Sequence, residues 1–192
     1  MLKGRTRFAF LGVILGIVLI AVAAVYYMIG GAAEEPIEWN LTLIGKNQEE
    51  QVLSYQDVCK LKSEEANGGF FTTVGVVNGP YRVKGVELKN LCTLVGGISE
   101  GDGIMISATD GYSMVFDYKQ LSGGIQTYDP VTLDEVPHEK QIVMLIYQQD
   151  GKKLTDSDGR PLRIAVVGSE SLLTEGHNWV KWVNKIEVLD IE

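Results

Sequence analysis

The chain has 192 residues, with 17 Lys and Arg against 25 Asp and Glu, two His and two Cys, and 45% of its residues are hydrophobic. That hydrophobic share argues against a disordered polyanion, and a net charge of −8 argues against a nucleic-acid binder, which needs a basic surface. Two cysteines and two histidines are too few for a disulfide-dense scaffold or a tandem zinc-finger array.

The first element is apolar. Residues 8–31 contain no charged side chain, and that run is long enough to cross about 30 Å of hydrocarbon at about 1.5 Å per residue. Lys3, Arg5 and Arg7 precede it and Glu34 and Glu35 come after it, so the positive-inside rule keeps the N-terminus cytoplasmic and puts everything after Gly31 outside. Tyr26 and Tyr27 sit near the outer end, where interfacial aromatics belong. The expectation is an uncleaved transmembrane anchor at 1–31, with a cell-membrane, single-pass location. The competing reading is a cleaved signal peptide, for which Ala21-Val22-Ala23 offers a small-x-small site. Residues 32–36 read as a linker, leaving one extracytoplasmic domain at 37–192. Beyond residue 33 the chain holds fourteen basic and all 25 acidic residues, a charge of −11, so positive or small partners are favoured and nucleic acid is not.

Within the domain, Ile37, Trp39, Leu41 and Leu43 alternate with polar neighbours as a half-buried strand does. Gly45-Lys46-Asn47 turns the chain into a short return strand at 51–53. Ser54 with Asp57 three residues on has the form of a capping box, opening a helix through Val58 and Leu61. Asn67-Gly68-Gly69 is expected to end that element before a β-rich stretch at 70–77, and Asn78-Gly79-Pro80 to turn the chain into 81–83. A second helix is expected over 86–95, with Leu88, Leu91, Leu94 and Val95 on one face and Gly96-Gly97 at its end. Asp110-Gly111 joins strands at 104–108 and 112–116 as a hairpin. Residues 122–138 are polar and Gly/Pro-punctuated and read as a long surface loop; further strands are expected at 142–147, 162–167 and 186–191. Many strands, few helices and no regular βα alternation give an α+β domain dominated by strands.

No GxSxG elbow, HExxH or P-loop occurs. His138 and His177 stand 39 residues apart, outside any metal-ligand spacing. Asp156-Ser157-Asp158-Gly159 has part of a calcium-loop pattern, but Leu154 and Ala165 occupy positions that should carry ligands, so it reads as a polar turn. Cys59 and Cys92 fall on the two predicted helices, and two readings stay open: a bridge contributing roughly 3–4 kcal/mol, or two buried free thiols.

Three segments carry a resemblance: Gly85-Val86-Glu87-Leu88-Lys89-Asn90-Leu91, Asp158-Gly159-Arg160-Pro161-Leu162-Arg163 through Gly168, and Gly176 to Val188, which contains Val180-Lys181-Trp182-Val183. The first is similar to the G-V-x-L-x-x-L segment of the sulfite-oxidase-like, oxidoreductase molybdopterin-binding domain family. The second resembles that family's G-x-P-L-R-L-V-V-P-G run, and the third its closing V-K-W-L-x-x-I-E-V. The opening strands and the Ser54 helix also fit, so the resemblance covers about residues 37–190. It implies a strand-dominated molybdopterin-binding fold in which a cysteine thiolate holds molybdenum and polar groups hold the pterin. The family's cysteine lies in a T-L-Q-C-A-G-N type segment. Here the nearest match is Thr72-Thr73-Val74-Gly75-Val76-Val77-Asn78, which puts Gly75 in the thiolate's place. Asn78, Arg163, His177 and Lys181 are the positions that the resemblance points to as a cofactor-binding or residual anion pocket; no metal ligand is assigned. The resulting expectation is an anchored ectodomain that binds a small anionic ligand or assembles with a membrane-associated redox complex, without redox turnover of its own. An active molybdopterin-dependent oxidoreductase and a purely structural ectodomain are the alternatives.

Overall fold

A computed structural model of the chain describes residues 36–191. The expected anchor at 8–31, and all of the linker but Pro36, lie outside these residues; among the described ones no helix is long and apolar enough to cross a membrane.

Thirteen strands and three short helices succeed one another among the described residues. Strands β1 (Asn40–Ile44) and β2 (Glu50–Ser54) form a hairpin, and helix α1 (Tyr55–Lys60) comes at once after it. The capping box is present: the Asp57 N–H donates to Ser54 Oγ at 3.2 Å and the Ser54 N–H to Asp57 Oδ2 at 3.3 Å. Next come β3 (Glu64–Phe71), β4 (Val77–Glu87), α2 (Leu88–Cys92) with a 3-10 turn at Thr93–Val95, β5 (Asp102–Ala108), β6 (Ser113–Asp117) and α3 (Tyr118–Leu121). The rest is β7 (Thr127–Tyr128), β8 (Glu135–Val136), β9 (Gln141–Gln149), β10 (Lys152–Lys153), β11 (Arg163–Gly168), β12 (Leu173–Glu175), a 3-10 turn at Gly176–Asn178 and β13 (Val183–Asp190).

The strands make two sheets. One has the order β2-β1-β13-β5-β6, with β1 and β13 parallel. In the other, β9, β11, β3 and β4 pair in a closed antiparallel circuit, which β10 and the β12-β7-β8 arm extend. Strand β9 is buried over Gln141–Tyr147 and serves two cores. Its Val143, Leu145 and Tyr147 join the large core with Leu41, Leu43, Ile104, Ile106, Ile186 and Val188 of the five-stranded sheet. Its Ile142, Met144 and Ile146 point the other way, into a smaller core with Val83, Ala165, Val167 and Trp179. A strand buried on both faces reads as a continuous apolar run, as 142–147 does.

Several boundaries depart from the sequence expectation. Gly68 and Gly69 end no helix but lie inside β3, because neighbouring chain passes too close for a side chain. A Cβ would stand 2.8 Å from the Val166 carbonyl oxygen at Gly68 and 2.5 Å from that of Asn78 at Gly69. The turn expected at Asn78-Gly79-Pro80 is instead strand β4, and the reversal occurs earlier, where the Gly75 N–H bonds the Thr72 carbonyl at 2.8 Å with Gly75 at φ 78°. Val86 and Glu87, expected in a helix, continue β4 along β9, so α2 begins only at Leu88. The expected loop at 122–138 contains the short β7–β8 hairpin, with Thr127 and Ile125 buried. The Asp110-Gly111 hairpin stands as expected, and Asp150-Gly151 turns β9 into β10.

One partly buried ion pair fastens the rim of the five-stranded sheet. Asp102, 3% exposed, accepts from Lys46 Nζ at 2.7 Å and from the Ser99 N–H and hydroxyl at 2.8 and 2.7 Å; Lys46 also reaches Asp190 at 3.1 Å. Lys46 first, then Ser99, hold the Asp102 carboxyl down at about 2. A carboxyl depressed in the folded state contributes stability above the ordinary carboxylate range near about 4, lost as pH falls through the folded value. Stability should therefore decline between about pH 4 and pH 2, and Asp102→Asn should flatten that decline while costing about 1–3 kcal/mol at neutral pH, read by urea unfolding at a series of pH values.

Candidate functional site

Strand alternation brings Arg163 inside. In β11, Ile164 and Val166 face the large core, so Arg163 shares the opposite face with Ala165 and Val167 of the small core. It is the first residue of the strand and 3% exposed, at the end of the small core. Its guanidinium lies over the rings of Phe70 (4.7 Å to the centroid) and Trp179 (5.0 Å), themselves 5.2 Å apart. Trp179 is fixed by donating from Nε1 to Thr174 Oγ1 at 2.9 Å. Arg163 Nε is buried without a hydrogen-bond partner, and among the described residues no carboxylate pairs with the guanidinium. Burial, opposed by the charge of Asp158, pulls its pKa down to about 10, so the group stays cationic at neutral pH.

This arginine opens on a cavity of about 700 Å³. The end of β3 supplies Phe70 and Phe71, the following turn Thr72 and Thr73, and β4 Asn78. The β5–β6 turn supplies Asp110 and Tyr112, and the chain from Glu175 to Trp182 most of the remaining wall. That chain is held against β11 by the Ile164 N–H bonding the Val180 carbonyl at 2.8 Å and the Val183 N–H bonding that of Leu162 at 3.0 Å. Tyr112 closes one side by donating from its hydroxyl to the His177 carbonyl at 3.3 Å.

The four residues singled out in the sequence, Asn78, Arg163, His177 and Lys181, all line this one cavity although 103 positions separate the first from the last. Their situations differ. Lys181 donates to the Ser157 carbonyl, and its pKa is lowered by burial first and then by Arg163. His177 is half-exposed and sits 3.1 Å from Glu175. Asn78 donates to the Val76 carbonyl at 3.2 Å, within its own hairpin. Sequence reasoning missed the aromatic wall of Phe70, Phe71, Tyr112, Trp179 and Trp182; only Trp179 and Trp182 had a signal, in the closing motif.

Neither cysteine lines the cavity. Cys92 is fully buried in the large core at the end of α2, where burial pushes its thiol up to about 12. Cys59 lies on α1, half-buried and also raised by burial. Both thiols are free. Gly75 is exposed at the β3–β4 turn and brings no ligand. Among the described residues no group of three or more His, Cys, Asp or Glu is placed to hold a metal ion.

Against known proteins, the sequence matches the family profile described as "Oxidoreductase molybdopterin binding domain" over residues 29–192. Among solved structures, the fold is similar to the sulfane dehydrogenase SoxCD from Paracoccus pantotrophus, with a TM-score of 0.60 and 19% sequence identity. That match covers 79% of this chain and 38% of the other, so the chain spans well under half of the longer protein, and the likeness concerns the fold alone. No curated protein matches the chain.

An unpaired buried guanidinium costs stability that an apolar side chain of similar length does not. Arg163→Met should leave the melting temperature unchanged or raise it, whereas Arg163→Ala should lower it through lost packing on Phe70 and Trp179; scanning calorimetry on the two variants checks both.

Proposed function

Because the chain belongs to the oxidoreductase molybdopterin binding domain family, we propose that it is a membrane-anchored, extracytoplasmic member of that family that binds an anionic ligand without redox turnover of its own. The single observation that carries this reading is Arg163, cationic, 3% exposed and unpaired at a roomy cavity. Native proteins rarely bury a charge without a partner, and a site that does so has kept the position for a ligand that supplies the opposite charge.

The family's own cofactor fits the residues only in part. Arg163 and Lys181 suit the anionic end of a pterin, and the aromatic wall suits its ring. The thiolate that would hold the metal has no counterpart: Gly75 is side-chain-free, and Cys92 is walled into the other core. No chemical step is therefore assigned to molybdenum in this chain. Its residues bind and orient: Arg163 and Lys181 attract the anion, the rings of Phe70 and Trp179 pack against the guanidinium, and the buried floor raises the worth of each charged contact by excluding water.

Anchoring rests on the uncharged run at 8–31 with basic residues before it and acidic ones after. The acidic domain and its cavity then lie outside the cytoplasm, where a small anion or a component of a membrane-associated redox complex would meet it.

Protein purified from a host that makes the cofactor should contain far less than stoichiometric molybdenum and no fluorescent oxidised pterin, and Cys92→Ser should leave that content unchanged. Stoichiometric metal with pterin would overturn the reading in favour of an active oxidoreductase. The full chain should sediment with membranes and resist alkaline carbonate, and deletion of residues 1–31 should release it; release of the full chain by carbonate would refute the anchor.

A further inference from the structure

We propose that the Arg163 cavity takes a flat aromatic molecule carrying a single oxyanion head, such as an aromatic monocarboxylate, in preference to a small inorganic oxyanion. This rests on the anion-binding reading above and specifies its ligand.

The head is dictated by the guanidinium. The rings of Phe70 and Trp179 lie against the guanidinium without accepting from its N–H groups, and Nε has no acceptor, so hydrogen-bonding capacity of Arg163 remains for a ligand. An edge of N–H donors in one plane matches a planar carboxylate through two parallel bonds. The body is dictated by the walls. A cavity of about 700 Å³ is far larger than one oxyanion, and it lies within the roughly 300–1,000 Å³ of sites for organic ligands. Beyond the Phe70–Trp179 pair, the rings of Phe71, Tyr112 and Trp182 line it. An inorganic ion would leave those rings wet, whereas a flat conjugated body stacks on them. The number of heads is set by charge: Asp110 and Glu175 offset Arg163 and Lys181 along the lining, so a second anionic group would find no unmatched positive charge.

Trp182 adds an independent sign. Its φ of 53° is in the left-handed region that a bulky residue avoids, and it is held there by its N–H on the Gly159 carbonyl (3.4 Å) and its carbonyl on the Thr109 N–H (3.1 Å). Strain of this kind persists where surrounding structure enforces it and gathers at ligand sites. Here it sets an aromatic ring into the cavity wall.

Two of the three tryptophans line the cavity, so tryptophan fluorescence of the full chain in detergent, checked by calorimetry, can monitor binding. The probes are naphthoate, the saturated decalin carboxylate of equal carbon skeleton, uncharged naphthalenemethanol, naphthalene dicarboxylate and sulfate. Naphthoate should bind at least ~10-fold tighter than each of the others. Arg163→Met and Arg163→Gln, each shown folded by circular dichroism, should lose it, and Trp182→Leu should weaken it several-fold. Equal affinity for naphthoate and the decalin acid, equal affinity for sulfate, or undiminished naphthoate binding in the Arg163 variants would overturn the proposal. Sulfate bound through Arg163 without naphthoate would overturn the ligand class and leave the anion-binding reading standing. Absence of binding by every anion would bring down both.

Discussion

Burial of the β9–β11 strand pair on both faces is the constraint to which the rest of this structure answers. An antiparallel pair with only one covered face can send its polar residues to water on the other. Here the β9 run from Ile142 to Tyr147 has no polar residue to send, so each face must be roofed. The five-stranded sheet and the helices roof one side, and the inward curl of β3 and β4 roofs the other. Curling demands close strand contact, which β3 meets with Gly68 and Gly69. The second core is small because four strands closing on each other leave little room. Arg163 is where its apolar lining stops and the cavity begins.

Much of this was legible in the sequence because it is local. The capping box at Ser54, the Asp110-Gly111 hairpin and the uninterrupted run of β9 each arise from neighbouring residues, and the structure has them where the pattern puts them. What misled was also local. Gly68-Gly69 and Gly79-Pro80 look like punctuation, yet Gly68 and Gly69 make room for Val166 and Leu173 of strands distant in sequence, and Gly79 lies against Gly69 across the β3–β4 pair. A glycine needed for close approach and one needed for a turn are written with the same letter. Val86 has helical spacing but belongs to β4 by its pairing with Leu145, a case of tertiary contact overriding local pattern.

The candidate site shows the same division. Motif similarity singles out Asn78, Arg163, His177 and Lys181, and the structure gathers them around one cavity. The sequence could not say that Arg163 would be nearly inaccessible while Lys181 and His177 keep partners at the rim, because burial depends on which strand face a residue occupies and on what closes over it. The aromatic wall drew little signal for a related reason: Phe70 and Phe71 adjoin an ordinary glycine pair, and Tyr112 belongs to a hairpin that served only as a turn.

The parallel pairing of β1 with β13 has a consequence for how the domain comes into being. Thr42 lies beside Lys185, and Leu43 beside Ile186, so the central strand of the five-stranded sheet is synthesised after every strand it joins. Until it arrives, the β1–β2 hairpin and the β5–β6 hairpin have no common partner, and Leu41, Leu43, Ile104 and Ile106 lack the roof that Ile186 and Val188 complete. Contacts of such long sequence separation slow folding and make it depend on the finished chain. The domain therefore matures late, as a nascent chain whose halves wait for a keystone, and truncation within the last strand would split one sheet into two hairpins rather than trim an edge.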